Sequence, residues 1–169
     1  MKLYPESASV QLEFNKIKEL LVNYCQAEHA RDKAQQLRIH TRKEFIELEL
    51  RQSHEYRQLM VNGIYFPNDY ILNLAKELKL LSIPGAVLSG EQFMQLRKLA
   101  ESMEKIFRWF DSERRIAYDG LAKVIDGTYY EKVIIELIDD VLDDYGQVKD
   151  NASEELKNIR LSLYRKRNE

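Results

Sequence analysis

Three groups of residues in this chain have spacings that could do chemistry. Gly85 and Gly90 enclose four residues in GAVLSG, the glycine spacing of a phosphate-binding P-loop. Such a loop needs Lys directly after the second glycine to meet the phosphates, then Ser or Thr for a magnesium ion. Here Glu91 and Gln92 follow, a glutamate repels phosphate, and no strand pattern precedes the loop. The stretch reads as a helix-to-helix turn. The second group is an acidic run, Glu136, Asp139, Asp140, Asp143 and Asp144. Aligning Gly146 with the invariant glycine of a calcium-binding EF-hand loop puts Val141 at the first ligand position, Tyr145 at the fifth and Ala152 at the twelfth. Three ligands are missing, so the run reads as a solvated helix face. The third group, His29, His40 and His54, has no metal-ligand spacing. No nucleophile and base can be paired. This segment is therefore expected to hold no catalytic, cofactor-binding or metal-binding residue.

What the chain offers instead is architecture. Its 169 residues fit one domain that needs neither disulfide nor metal to fold. Apolar residues make up 44%, and only six Gly and three Pro occur, a composition that favours helix. A net charge of −2 excludes a protein that binds nucleic acid by bulk charge. Cys25 is the single cysteine and reads as a small core residue. No stretch approaches the about 20 apolar residues needed to span a bilayer. A cytoplasmic protein with no membrane partner is expected.

The periodicity predicts an all-α fold of seven or eight helices. Val10, Phe14, Ile17, Leu21 and Tyr24 share one face of a first helix, capped by Ser7 or Ser9. A short helix covers Glu28 to Leu37. Thr41 with Glu44 forms a capping-box pattern ahead of a helix whose inner face is Phe45, Leu48, Tyr56, Leu59 and Met60, stopped by Gly63. A fourth helix runs from Asp69 to Leu80 with Ile71, Leu74, Ala75 and Leu78 inward. Ser89 with Gln92 starts a long helix carrying Phe93, Leu96, Leu99, Met103, Ile106 and Phe110. Helices over Glu113 to Ile125 and Tyr130 to Leu142 follow, and a short extended piece is expected at Gln147 to Lys149.

The stretch DDYGQVKDNASEELKNIR departs from this plain pattern. Gly146 can take the left-handed conformation that ends a helix. Val148 is a lone apolar anchor in a polar crossing. Asn151 or Ser153 can cap the next helix, and Glu154 and Glu155 suit its positive end. Leu156, Ile159 and Leu163 mark a narrow stripe, still in stride at Arg167. The expected organisation is a helical core over residues 1–150 and the start of a lever helix over 151–169. The structural joint is Gly146, Val148, Asp150, Asn151, Ser153, Leu156 and Arg160. Arg165, Lys166 and Arg167 are candidate phosphate contacts at the helix end, sufficient only for modest salt-dependent affinity.

Together with LEFNKIKELLVNYC near the N-terminus, this joint resembles the opening of MutS-like ATPases. The likeness is to the second bacterial branch, which lacks the mismatch-reading N-terminal domains. The family pattern is D-x-x-G, then V-K-D, then A-S-x-E-L-x-x-I-R opening a long helix. It appears as Asp143 and Gly146, Val148 to Asp150, and Ala152 to Arg160. VLSGEQ, Val87 to Gln92, is similar to the family's V-L-S-x-E-E turn. Asn15, Glu28-His29-Ala30 and the proline-free Arg38-Ile39-His40 depart from the branch pattern. The resemblance implies a non-catalytic core and lever segment that couples an ATPase domain to a DNA clamp. It also implies a homodimeric parent that uses ATP and magnesium, with a nuclease domain in some members, and that acts on branched, duplex or mismatched DNA or on ribosomes. The alternative is a self-contained helical interaction module that docks through Phe107, Trp109 and Phe110 or through the acidic run.

Overall fold

The structure is a computed structural model that describes residues 7–168. It is all-α, with ten helices among the described residues and one isolated antiparallel bridge, between Leu142 and Val148. The described residues form two compact units, divided between Leu48 and Glu49.

The first unit holds α1 (Ala8–Gln11), α2 (Phe14–Tyr24), α3 (Glu28–Gln35) and the start of α4 (Lys43–Val61). The expected continuous first helix is broken: Glu13 lies at φ 54, in the left-handed region that non-glycine residues seldom occupy. Its carbonyl accepts the Lys16 amide at 2.9 Å, so the turn still starts α2. α2 packs on α3, and Ala34 is buried there. The predicted inner stripe is not inner. Phe14 is half-buried, and Val10, Ile17, Leu21 and Tyr24 are exposed. Cys25 is also only half-buried at the end of α2, where its Sγ donates to the Leu21 carbonyl. α4 begins one residue later than a Thr41 cap would require. The Arg42 carbonyl accepts the Ile46 amide at 3.2 Å, so Arg42 takes the cap position.

The second unit contains the rest of α4, α5 (Ala75–Leu81), α6 (Gly90–Trp109), α7 (Ser112–Ala117), α8 (Asp119–Ala122), α9 (Val133–Val141) and α10 (Glu154–Arg167). Leu59 of α4 is 1% exposed and sits among Trp109, Phe110, Leu121 and Ala122. Phe66 stands edge-on to Trp109, with ring centroids 4.9 Å apart, an arrangement that suits the aromatic quadrupole. Trp109 Nε1 donates to the Tyr65 carbonyl at 2.8 Å, which leaves the buried indole satisfied. The buried Glu55 carboxylate accepts the amides of Gly120 (3.2 Å) and Leu121 (2.7 Å), tying α4 to the start of α8. Charge-assisted bonds of this kind are the stronger ones.

Burial of Trp109 and Phe110 overturns their use as a docking face: they build the core. Met60 is exposed because Glu55, Tyr56 and Leu59 set the inner face of α4. The fourth helix starts at Ala75, with only Leu74 buried of the expected inward set. The predicted helix from Glu113 to Ile125 is two, split at Tyr118, whose φ −126 and ψ 55 interrupt the helical path. Replacing Leu59 with Ala removes side-chain volume that cannot be refilled. The Leu59→Ala protein should lose about 3 kcal/mol in urea unfolding. A loss below about 1 kcal/mol would place the core elsewhere.

Candidate functional site: the joint before the last helix

The joint is built on the pairing of α6 with α9. Ser89 caps α6 through a complete capping box with Gln92, as its sequence predicts. Arg97, two turns along α6, grips Asp139 of α9 with two bonds. Nε donates to Oδ1 at 2.5 Å and Nη2 to Oδ2 at 3.0 Å, the fork geometry that suits a carboxylate. Arg97 also donates to Glu101. Leu88, Ile138 and Leu142 are buried and line one groove at the joint.

α9 ends at Val141, and Leu142 turns to extended backbone. Gly146 therefore does not end the helix, as its position in the sequence suggests. It completes a tight turn beyond it. The Gly146 amide donates to the Asp143 carbonyl at 2.9 Å, and Gly146 lies at φ 74. The Asp143 Oδ1 accepts the amides of Tyr145 (2.9 Å) and Gln147 (2.8 Å), as aspartates do in turns. The returning strand-like piece pairs through the Leu142–Val148 bridge and a bond from the Lys149 amide to the Val141 carbonyl at 2.9 Å. This is the expected extended piece at Gln147 to Lys149. The Lys149 ammonium donates to the Asp139 carbonyl, which adds a third tie to the same residue. Asp139 and Asp143 thus leave the solvated acidic face and become joint residues.

Gly146 is buried against Gly90, the first residue of α6. A Cβ on Gly90 would lie 2.0 Å from the Gly146 carbonyl oxygen. Of the two glycines in GAVLSG, Gly90 thus has a packing reason, whereas Gly85 lies at φ 82 with open space around it.

Beyond Lys149, Ser153 is the cap of α10, its Oγ accepting the Leu156 amide at 3.1 Å. Asn151 is exposed and does not cap. Leu156 is half-buried, and Arg160 reaches back to pair with Asp150. Gly146, Val148, Asp150, Ser153, Leu156 and Arg160 therefore lie along one continuous feature. Arg165, Lys166 and Arg167 do not join it. They occupy the exposed last turn of α10, about 20 Å along the helix at 1.5 Å per residue. Sequence reasoning missed Gly90, Arg97, Asp139 and Lys149. One signal was available: glycine in the first turn of a helix costs propensity and asks for a reason.

Val87, Leu137, Val141 and Val148 are exposed around the joint, and with Phe93 and Leu142 they line an apolar groove of about 540 Å³. Among the described residues no group of His, Cys, Asp and Glu could hold a metal ion, and no helix is long and apolar enough to cross a membrane.

Known sequences agree on one relationship. The chain is 31% identical to Endonuclease MutS2 of Aquifex aeolicus (strain VF5) over 158 residues, covering 94% of the chain and 20% of that protein. It is 28% identical to Endonuclease MutS2 of Lactococcus lactis subsp. lactis (strain IL1403), covering 90% of the chain and 19% of that protein. It is 24% identical to Endonuclease MutS2 of Streptococcus pyogenes serotype M49 (strain NZ131), with the same coverage. No family model and no solved structure matches. The chain is thus an all-helical, MutS-related sequence. More particularly it is MutS2-like, and it spans about a fifth of the length of these relatives.

The Arg97 guanidinium bonded to Asp139 holds its carboxyl below the usual carboxylate range, with Lys149 adding a weaker effect in the same direction and partial burial opposing them. A lowered folded-state pKa contributes stability above the unfolded value of about 3.9, and this is lost as pH falls through the folded value. The carboxylate is about half exposed, so solvent screens the gain. Asp139→Asn should therefore open a stability gap that is constant above about pH 4 and closes below it. A gap unchanged from pH 6 to pH 2 in thermal unfolding would assign the loss to packing alone.

Proposed function

We propose that this chain is a non-catalytic core and lever segment of a longer MutS-like, ATP-driven DNA-binding protein. α10 is the root of an arm that couples an ATPase domain to a DNA clamp. The observation that carries this reading is the joint. The chain is pinned through Lys149 by backbone and side-chain bonds, and then launches a helix none of whose side chains is buried. A helix built to pack on its own domain would bury a stripe. The similarity to MutS2 proteins along nearly the whole chain supports the same reading.

In this account ATP and magnesium act in the parent's ATPase domain, outside these residues. The parent is a cytoplasmic homodimer acting on branched or duplex DNA in repair or recombination control. The endonuclease activity in the relatives' name would also belong to the parent. Arg165, Lys166 and Arg167 serve as secondary phosphate contacts, each contacted phosphate adding about 0.9 to the salt slope of binding. The joint is mechanical: it sets the direction of the arm and takes no ligand.

The coding sequence past Glu169 tests this directly. It should continue into further helical heptads and a G-x-x-x-x-G-K-[ST] motif. A reading frame that closes within a few residues would contradict the lever and favour an independent interaction module.

A further inference from the structure

The ties along the joint are unevenly distributed. Through Lys149 the chain is held by the Asp143 turn, by the bridge to Leu142, by the bond to Val141 and by the ammonium on the Asp139 carbonyl. Among the described residues, the backbone ties from Asp150 to Ala152 fall to one, the Ala152 amide on the Lys149 carbonyl at 3.1 Å. α10 itself buries no side chain. Among the described residues, the one side-chain hydrogen bond that joins α10 to anything before its cap is Arg160 to Asp150. The other charges near it are committed elsewhere. Lys157 pairs with Glu154 inside the helix, and Lys149 donates to Asp139.

We infer that Asp150–Ala152 is the pivot of α10 and that the Asp150–Arg160 ion pair is its latch. Gly146, the residue that looks like the hinge in the sequence, is instead immobilised against Gly90. This inference rests on the lever reading above, because an orientation latch matters where the helix transmits motion.

The strength of the pair suits the role. Both side chains are substantially exposed, so the pair biases the helix by a factor of about two to five and does not lock it. Such a pair is screened by salt, with a Debye length of about 3 Å at 1 M. A force delivered along the arm, or a competing phosphate at Arg160, would release it.

The test uses the 169-residue chain with Cys25→Ser and spin labels placed through Lys123→Cys and Ser162→Cys, both on exposed positions. Double electron–electron resonance at low ionic strength should give one dominant distance. Asp150→Lys should reduce that population about two- to fivefold and broaden the distribution, and 1 M NaCl should do the same to the unaltered pair. The swapped pair Asp150→Arg with Arg160→Asp should restore the dominant distance. Arg160→Gln serves as the second variant if Asp150→Lys alters the helical circular dichroism. A distribution that is already broad, that ignores Asp150→Lys, or that the swap fails to recover overturns the latch. None of these outcomes bears on whether a nucleotide motif lies downstream, so latch and lever fail separately.

Discussion

Two glycine backbones touch, and the joint before the last helix is arranged around that contact. Gly90 opens α6, and Gly146 closes the turn after α9. A Cβ on the first would overlap the carbonyl of the second at 2.0 Å, and a Cβ on the second would press the Gly90 carbonyl and Met94 at 3.2 Å. Gly146 is doubly constrained, because its φ of 74 is itself a conformation that favours glycine. The capping box at Ser89 fixes where α6 begins, and Arg97 on Asp139 fixes where α9 lies against it. With both ends held, the hairpin from Leu142 to Lys149 has one place to go, and the start of α10 follows from it.

The sequence shows the local devices of this site and hides the contact between them. Ser89 with Gln92, Ser153 as one of two candidate caps before the glutamates, and Gly63 after α4 are legible because capping depends on neighbours in the chain. The all-α class is legible for the same reason: helical spacing recurs with few glycines and prolines to interrupt it. The Gly90–Gly146 approach is not legible, because each glycine alone has an adequate local explanation. Asp139 likewise looks like one carboxylate among several until Arg97 is placed opposite it. The breaks at Glu13 and Tyr118 carry no helix-breaking residue, so only the folded backbone reveals them. The apolar stripe of α2 teaches the converse lesson: helical spacing identifies a face that could be buried, and the structure leaves most of it exposed.

A rigid anchor followed by a lightly held helix is a physical basis for the proposed lever. Forces can be transmitted only where one side of a joint resists them. Here the resisting side is a hairpin stitched to α9, and the yielding side is three residues and one exposed ion pair. The apolar groove beside the hairpin and the largely exposed stripe of α10 are apolar surfaces that the described residues leave uncovered, and the chain spans about a fifth of the length of the MutS2 relatives.

The most direct measurement is amide hydrogen exchange at Gln147 and Lys149 in the Gly90→Ala protein. The glycine contact holds the hairpin that forms these amides' bonds, at 2.8 Å to Asp143 and 2.9 Å to Val141. Overpacking costs about 1–3 kcal/mol, so their protection should fall about tenfold or more. The Leu121 amide, bonded to Glu55 away from the joint, should keep its protection. Unchanged protection at Gln147 and Lys149 would show that the joint stands without the contact, and the account would be wrong at its centre.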